Sequence, residues 1–352
     1  MEAIKNTLQG LALGPAQHYR NLTAFPLING NAAPADYLTL GDAVRRKTAQ
    51  ITEVSDTGRV PELLLDNRGE DKVLILDGEE LLGAKQNRIA NLTILADAMS
   101  KTVIPVSCVE HGRWSYSRRD FGVSERAQFS RGRAKKAAAL SANLKATGTY
   151  GADQSMVWDD ISAKQQRMSV NSPTSSMGDM FDYHEEPVEQ YAAEFTAVEN
   201  QVGVIFAIDG KVEGMDLFDA PDTLARMLPK LTRSFAIDAL ETADYQSDNP
   251  RESDAGRFLA QLALAHTDVY PGVGVGTDIR LSAPLVAGGG LVNNDKLVHL
   301  AAFSISGETP RQRRTRMMDA RMQARRYERM RERAEERAKQ RDMRRRKDED
   351  NS

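Results

Sequence analysis

The chain has 352 residues with a formal charge of −3, 41% hydrophobic and 6% aromatic residues, enough apolar material for one large core or two small ones. The charge is uneven: residues 311–352 hold 17 Lys and Arg against 9 Asp and Glu, which leaves the first 310 residues acidic, with 30 basic against 41 acidic side chains. A single cysteine, Cys108, excludes an internal disulfide framework and a zinc site built on several thiolates.

No stretch approaches the ~18 uncharged apolar residues of a membrane span. The N-terminus has no basic region ahead of an apolar run, so a soluble, cytoplasmic protein with no membrane partner is expected. Between residues 36 and 110, short apolar runs predict strands: ITEV (51–54), VPELLL (60–65), VLIL (73–76), RIANLTIL (88–95) and TVIPVSCVE (102–110). One short helix is expected near 41–47. VLIL runs directly into Asp77-Gly78, a hairpin signal because type I′ turns need positive φ at both central positions, and such a turn presents Glu79 and Glu80.

Residues 115–190 are polar. The stretch from Ser115 to Ala146 reads as exposed helix and that from Arg167 to Pro187 as a mobile loop. A helix from Val188 to Glu199 follows, then VIFAIDGKVEGMDLF (204–218), a second apolar strand ending in Asp-Gly. An ancient duplication and chance both account for that repetition. Pro221 opens a helix over 222–240, another helix is expected at about 253–266, and strands near 278–283 and 296–304 close the body.

The fold expected is α+β, a mainly antiparallel β-rich core with flanking helices. Residues 1–305 form its body, either as one sheet or as two lobes of about 1–120 and 190–305 joined by the polar segment. Residues 306–352 form a long basic helix opened by Thr309-Pro310, with Arg321, Arg325, Arg329, Arg333, Arg337, Arg341 and Arg345 at four-residue steps. At 3.6 residues per turn that row winds round the helix, and with no Leu, Ile, Val or Phe after position 310 it has no apolar seam.

The densest polar cluster follows VLIL: Glu79, Glu80, Lys85, Gln86, Asn87 and Arg88. Adjacent strand residues face opposite ways, so Glu79 and Glu80 cannot both reach one substrate, and a carboxylate pair needs a second member. Glu110 ends the face of Ile104, Val106 and Cys108, with Arg113 and Trp114 just beyond. Glu80 and Glu110 are therefore the candidate catalytic pair. Glu79, Lys85, Gln86, Asn87, Arg88, Arg113, Trp114 and His299 are candidate ligand-binding residues for sugar hydroxyls, phosphate and a flat base. The alternative is a salt-bridged hairpin at a sheet edge. Cys108 reads as a core residue, and His299 as a core histidine with a site role as the alternative. No nucleotide-binding glycine fingerprint, P-loop, H-E-x-x-H or G-x-S-x-G occurs, and no metal or cofactor is expected.

Four segments taken together, GEELLGAKQNR (78–88), IPVSCVEHGRW (104–114), IDGKVEGMDLF (208–218) and LVHLAAFS (297–304), resemble one family. It is named for its association with ADP-ribosylglycohydrolases and rhodanese-phosphatase-superfamily proteins. The resemblance covers about residues 10–305, departs from the family pattern at Ala84, where a second glycine is expected, and excludes the tail. It implies a place in NAD and ADP-ribose metabolism without naming a reaction. Two functions are carried forward: binding or processing of an ADP-ribose-like or nucleotide-sugar ligand by the body, and docking of a non-enzymatic adaptor on nucleic acid or an acidic protein through the tail.

Overall fold

A computed structural model describes residues 2–55, 61–113, 120–243 and 249–305. The chain divides into two units, Met1–Ile305 and Ser306–Ser352. The second unit lies outside the described residues, as do the expected basic helix with its arginine row from Arg321 to Arg345, and Trp114.

Helix α1 (Glu2–Gln9) leads into β1 (Ala12–Leu13), β2 (Gln17–Tyr19) and β3 (Leu22–Ile28). Then come β4 (Tyr37–Thr39), α2 (Leu40–Arg45), β5 (Ala49–Glu53), β6 (Glu62–Asn67), β7 (Lys72–Ile75), β8 (Glu79–Gly83), β9 (Arg88–Ala90), β10 (Ile94–Ala96), β11 (Ser100–Cys108) and β12 (Asp120–Ala127). Helices α3 (Ser130–Thr147), α4 (Gln154–Arg167), α5 (Met177–Tyr183) and α6 (Glu185–Glu194) separate these from a hairpin of β13 (Gln201–Ile208) and β14 (Lys211–Phe218). The body ends with α7 (Pro221–Leu240), α8 (Glu252–Ala263), β15 (His266–Pro271), β16 (Thr277–Ala283), β17 (Val286–Asn293) and β18 (Lys296–Ser304).

The strands form a nine-stranded sheet in the order β1-β3-β13-β14-β18-β17-β16-β15 with β2 also on β3, a closed barrel β11-β6-β5-β12-β8-β9, and a small sheet β10-β7-β4. Pairing is antiparallel except between β4 and β7, which makes an α+β fold with mainly antiparallel sheets. Every residue of β13 is buried because helices cover both faces of its sheet. Val204 and Phe206 meet Leu224, Leu231 and Phe235 of α7, while Ile205 and Ala207 meet residues of α1 and α8. Alternation is therefore lost from its sequence, VGVIFAI, as expected for a strand covered on both sides. Phe206 stacks on Phe235 with ring centroids 4.4 Å apart, and each fully buried Phe or Leu here contributes about 1.5–3 kcal/mol.

The two Asp-Gly turns differ. Asp209 and Gly210 both have positive φ, 49° and 74°, and close the β13–β14 hairpin as a type I′ turn requires. At the first, Gly78 alone is positive, at 78°, and the expected hairpin is not made: β7 pairs with β4 and β10, whereas β8 pairs with β9 and β12. That turn carries the chain from the small sheet into the barrel.

From residue 120 on, the segment expected as exposed helix holds β12 and then α3, a helix with one buried face. Arg133 and Lys136 of α3 are enclosed: Arg133 holds Asp216 through two bonds of 2.6 and 3.0 Å and lies 3.4 Å from Asp77, and Lys136 sits 2.8 Å from Asp77. Their polarity reads as exposure in a sequence, but each charge is neutralised within the core. The expected mobile loop contains α5, the first turn of α6 and a strap on the end of β11, in which Gly112 N donates to Thr174 O at 2.7 Å and Met177 N to Val109 O at 2.8 Å.

Candidate functional site

The ladder between β8 and β12 shifts register: Val123 faces Leu81 and Ala127 faces Glu79, so Ser124, Glu125 and Arg126 all stand opposite Glu80. Bulges of this kind re-aim side chains and interrupt pairing. Here the bulge surrounds one carboxyl. A methyl placed on Gly178 would lie 3.7 Å from Glu80 Oε1 and 3.5 Å from both Arg126 Nη1 and Ser176 Oγ, so the four residues meet around one point.

Glu80 is fully enclosed, and among the described residues no basic side chain forms an ion pair with its carboxyl. Burial, with a smaller push from the charge of Asp182, raises its pKa to about 7. The Ser124 hydroxyl, set beside the carboxyl by the bulge, draws the value down in part by hydrogen bonding, and the charges of Arg126 and Lys230 add smaller downward pulls. A carboxyl in this state changes protonation near neutral pH and can give a proton to a ligand.

Above it is a cleft of about 450 Å³, whose polar lining includes Asn87, Glu110, Arg126, Ser176, Asp179 and Asp182. The end of β11 and the strap deliver Glu110, which forms a bridge with Ser176. Its carboxylate accepts from Arg113 Nε at 2.9 Å, Arg113 Nη2 at 2.7 Å and Asn87 N at 3.1 Å. The arginine fork fixes the orientation of Glu110. Arg126 is held by Asp182 and by Gly178 O at 3.2 Å, and its guanidinium lies over the Phe181 ring.

Of the sequence-predicted residues, Asn87 and Glu110 line the cleft, Arg113 holds both of them, and Glu80 is enclosed beneath Gly178 without lining it. Glu79 points elsewhere, to Lys230 Nζ at 2.5 Å. Arg88 is fully buried and donates to Gln86 Oε1 at 3.3 Å and Cys108 Sγ at 3.4 Å. Lys85 and Arg88 lie toward Glu53, whose carboxyl burial holds above its usual range. Cys108 is buried, its thiol bonded to Gln86 Oε1 at 3.0 Å and pushed up in pKa by burial, an environment that opposes thiolate formation. His299 stands apart in the ionic core, between Thr93 Oγ1 at 2.8 Å and Asp216 Oδ1 at 3.2 Å, with both ring nitrogens engaged.

Sequence reasoning missed Ser124, Glu125, Arg126, Ser176, Asp179 and Asp182. The alternation of Phe121 and Val123 is the one local sign of the strand that carries three of them, in a segment expected as helix, and the bulge itself depends on pairing with β8. Among the described residues no group of three or more His, Cys, Asp or Glu is placed to hold a metal ion, and no helix is long and apolar enough to cross a membrane.

Compared with known proteins, the chain matches no curated protein and no solved structure. A family model, the ARG and Rhodanese-Phosphatase-superfamily-associated Protein domain, matches residues 10–303, which include every residue of the cleft. The segments singled out in the sequence, the cleft they help to build and this match together make the chain a member of the ADP-ribosylglycohydrolase- and rhodanese-phosphatase-superfamily-associated protein family.

Proposed function

We propose that the cleft binds an ADP-ribose-like ligand through its ribose and that Glu80 and Glu110 act on the bond at the ribose anomeric carbon. The observation that carries this reading is the contrast between the two carboxyls: Glu80 is buried without an ion-pair partner among the described residues and raised to about 7, whereas Glu110 is held by the Arg113 fork. Two carboxyl groups in unlike environments suit general acid–base work on a glycosidic bond. Protonated Glu80 gives its proton to the leaving group as the anomeric carbon–leaving group bond breaks. Water adds to that carbon, with Glu110 facing the developing positive charge; one proton of the water stays on the new anomeric hydroxyl and the other returns to Glu80. Asn87, Ser124 and Ser176 supply hydrogen-bonding groups for ribose hydroxyls.

The family name supports the ligand class, since it places these proteins beside ADP-ribosylglycohydrolases. Calorimetric titration of ADP-ribose into the full chain tests the reading. Saturable heat, weakened in Glu80→Gln, is expected; no heat and no melting shift at millimolar ligand would contradict it.

A further inference from the structure

Acidic side chains dominate the first cleft: Glu110, Glu125, Asp179 and Asp182 line it, with Arg126 as the cation among them. Such a lining accepts hydroxyl protons from a sugar but repels a phosphate. The basic residues nearest in sequence to this site do not remedy that. Arg88 is fully enclosed, and Arg113 is engaged by Glu110, Asn87 and the carbonyl of Ala84. An ADP-ribose-like ligand therefore needs another place for its phosphates.

A second cleft of about 210 Å³ shares Val123 and Glu125 with the first, so the β12 bulge forms the wall between them. It is lined by Arg45, Arg226 and Lys230, balanced by Asp42, Glu79 and Glu125. Its volume is small for a whole ligand and suits one polar group. The lysine is 6% exposed and gives one bond, to Glu79 Oε1. An ammonium carries three donors, so two remain. Arg45 bonds Asp42 through Nη1, and Arg226 bonds Asp222 through Nη1 and lies 3.4 Å from Asp42 through Nε, which leaves guanidinium N–H groups on both. Strand alternation explains why Glu79 and Glu80 are adjacent: one anchors the cation of the second cleft, and the other stands beneath the first.

We infer that the second cleft is a phosphate subsite, which takes the phosphate or diphosphate of a ligand whose ribose occupies the first, with Arg45, Arg226 and Lys230 as its contacts. This rests on the ribose reading of the first cleft and extends it to a phosphorylated glycoside that crosses the Val123–Glu125 wall.

The test uses Arg45→Gln/Arg226→Gln in the full chain, since both side chains are partly exposed, at 72% and 48%, whereas removing Lys230 would strand buried Glu79. Pyrophosphate, adenosine and ADP-ribose are each titrated into the wild type and the double variant, and both proteins are melted to confirm folding. Pyrophosphate should bind the wild type and lose at least tenfold in affinity in the variant. ADP-ribose should fall by a similar factor while adenosine is unchanged. Absence of pyrophosphate binding, or equal binding to both proteins, overturns the inference. Pyrophosphate binding lost in the variant, with no binding of adenosine or ADP-ribose to either protein, upholds the anion subsite and rejects the ribose reading of the first cleft.

Discussion

Glu79 and Glu80 are consecutive on β8, yet Glu79 is bonded to Lys230 Nζ at 2.5 Å while no ion pair of Glu80 is made among the described residues. The β12 bulge opposite them produces this difference by setting Ser124, Glu125 and Arg126 against a single residue of β8. Burying a carboxyl is costly unless it is hydrogen-bonded or stays protonated, and burial here pushes Glu80 toward the protonated form.

The first prediction concerns pH. Glu80 rises from 4.5 to about 7 on folding, mainly through burial. Between those values the unfolded chain has already released its proton and the folded chain has not, so stability is full below about pH 4.5, falls as pH rises towards 7, and then levels off. The loss is on the order of 3 kcal/mol. Glu80→Gln keeps the neutral shape, so its contribution to the slope should vanish, making the variant more stable than wild type at pH 8. Urea denaturation of both proteins at pH 5 and pH 8 measures this, and identical slopes would contradict it.

The ionic core should be far less tolerant than the protein surface. Arg133→Met leaves Asp216 with His299 as its remaining partner and Asp77 with Lys136, both enclosed. Breaking one side of a buried pair costs about 3–5 kcal/mol. Chemical denaturation at pH 7 should show that loss; a change below about 1 kcal/mol would mean that the charges are compensated in another way.

Gly274 tests the junction between the small sheet and the loop joining β15 to β16. Its φ is +88°, and a Cβ there would lie 2.4 Å from the Leu95 carbonyl oxygen, beside the Leu95–Val275 bridge. Gly274→Ala should lower stability by about 1–3 kcal/mol and so depress the melting temperature by several degrees. An unchanged melt would show that the loop relaxes freely.

The tail carries a separate proposal, that its 17 basic residues dock on nucleic acid or an acidic protein. Deleting residues 306–352 should abolish a salt-dependent shift of RNA or DNA in a gel, measured at two salt concentrations. Equal binding by full-length and truncated proteins would remove the tail from any such role.

The strands marked by short apolar runs, such as VLIL and VIFAI, were legible, but β3, β12, β15 and β17 were not expected, since a strand's partners, and not its own residues alone, decide whether it forms. The role of α3 was not legible either. Arg133 and Lys136 look solvent-facing until Asp77 and Asp216 are placed beside them, and those partners are far away in sequence. The cleft was half legible: Glu80, Asn87, Glu110 and Arg113 lie in segments that announce themselves by polar density after apolar strands. Arg126 and Asp182 do not, since a bulge and a strap bring them in. The expected departure at Ala84 has a local counterpart, for its φ is 40°, in the backbone region that favours glycine.

The central claim is that the first cleft is a ribose site whose chemistry depends on the proton of Glu80. Titration of ADP-ribose into the wild type and Glu80→Gln at pH 6 and pH 8, followed by calorimetry, tests it most directly. Wild-type affinity should change between the two pH values, and that of the variant should not. No binding by the wild type, or the same pH dependence in both proteins, would contradict the account.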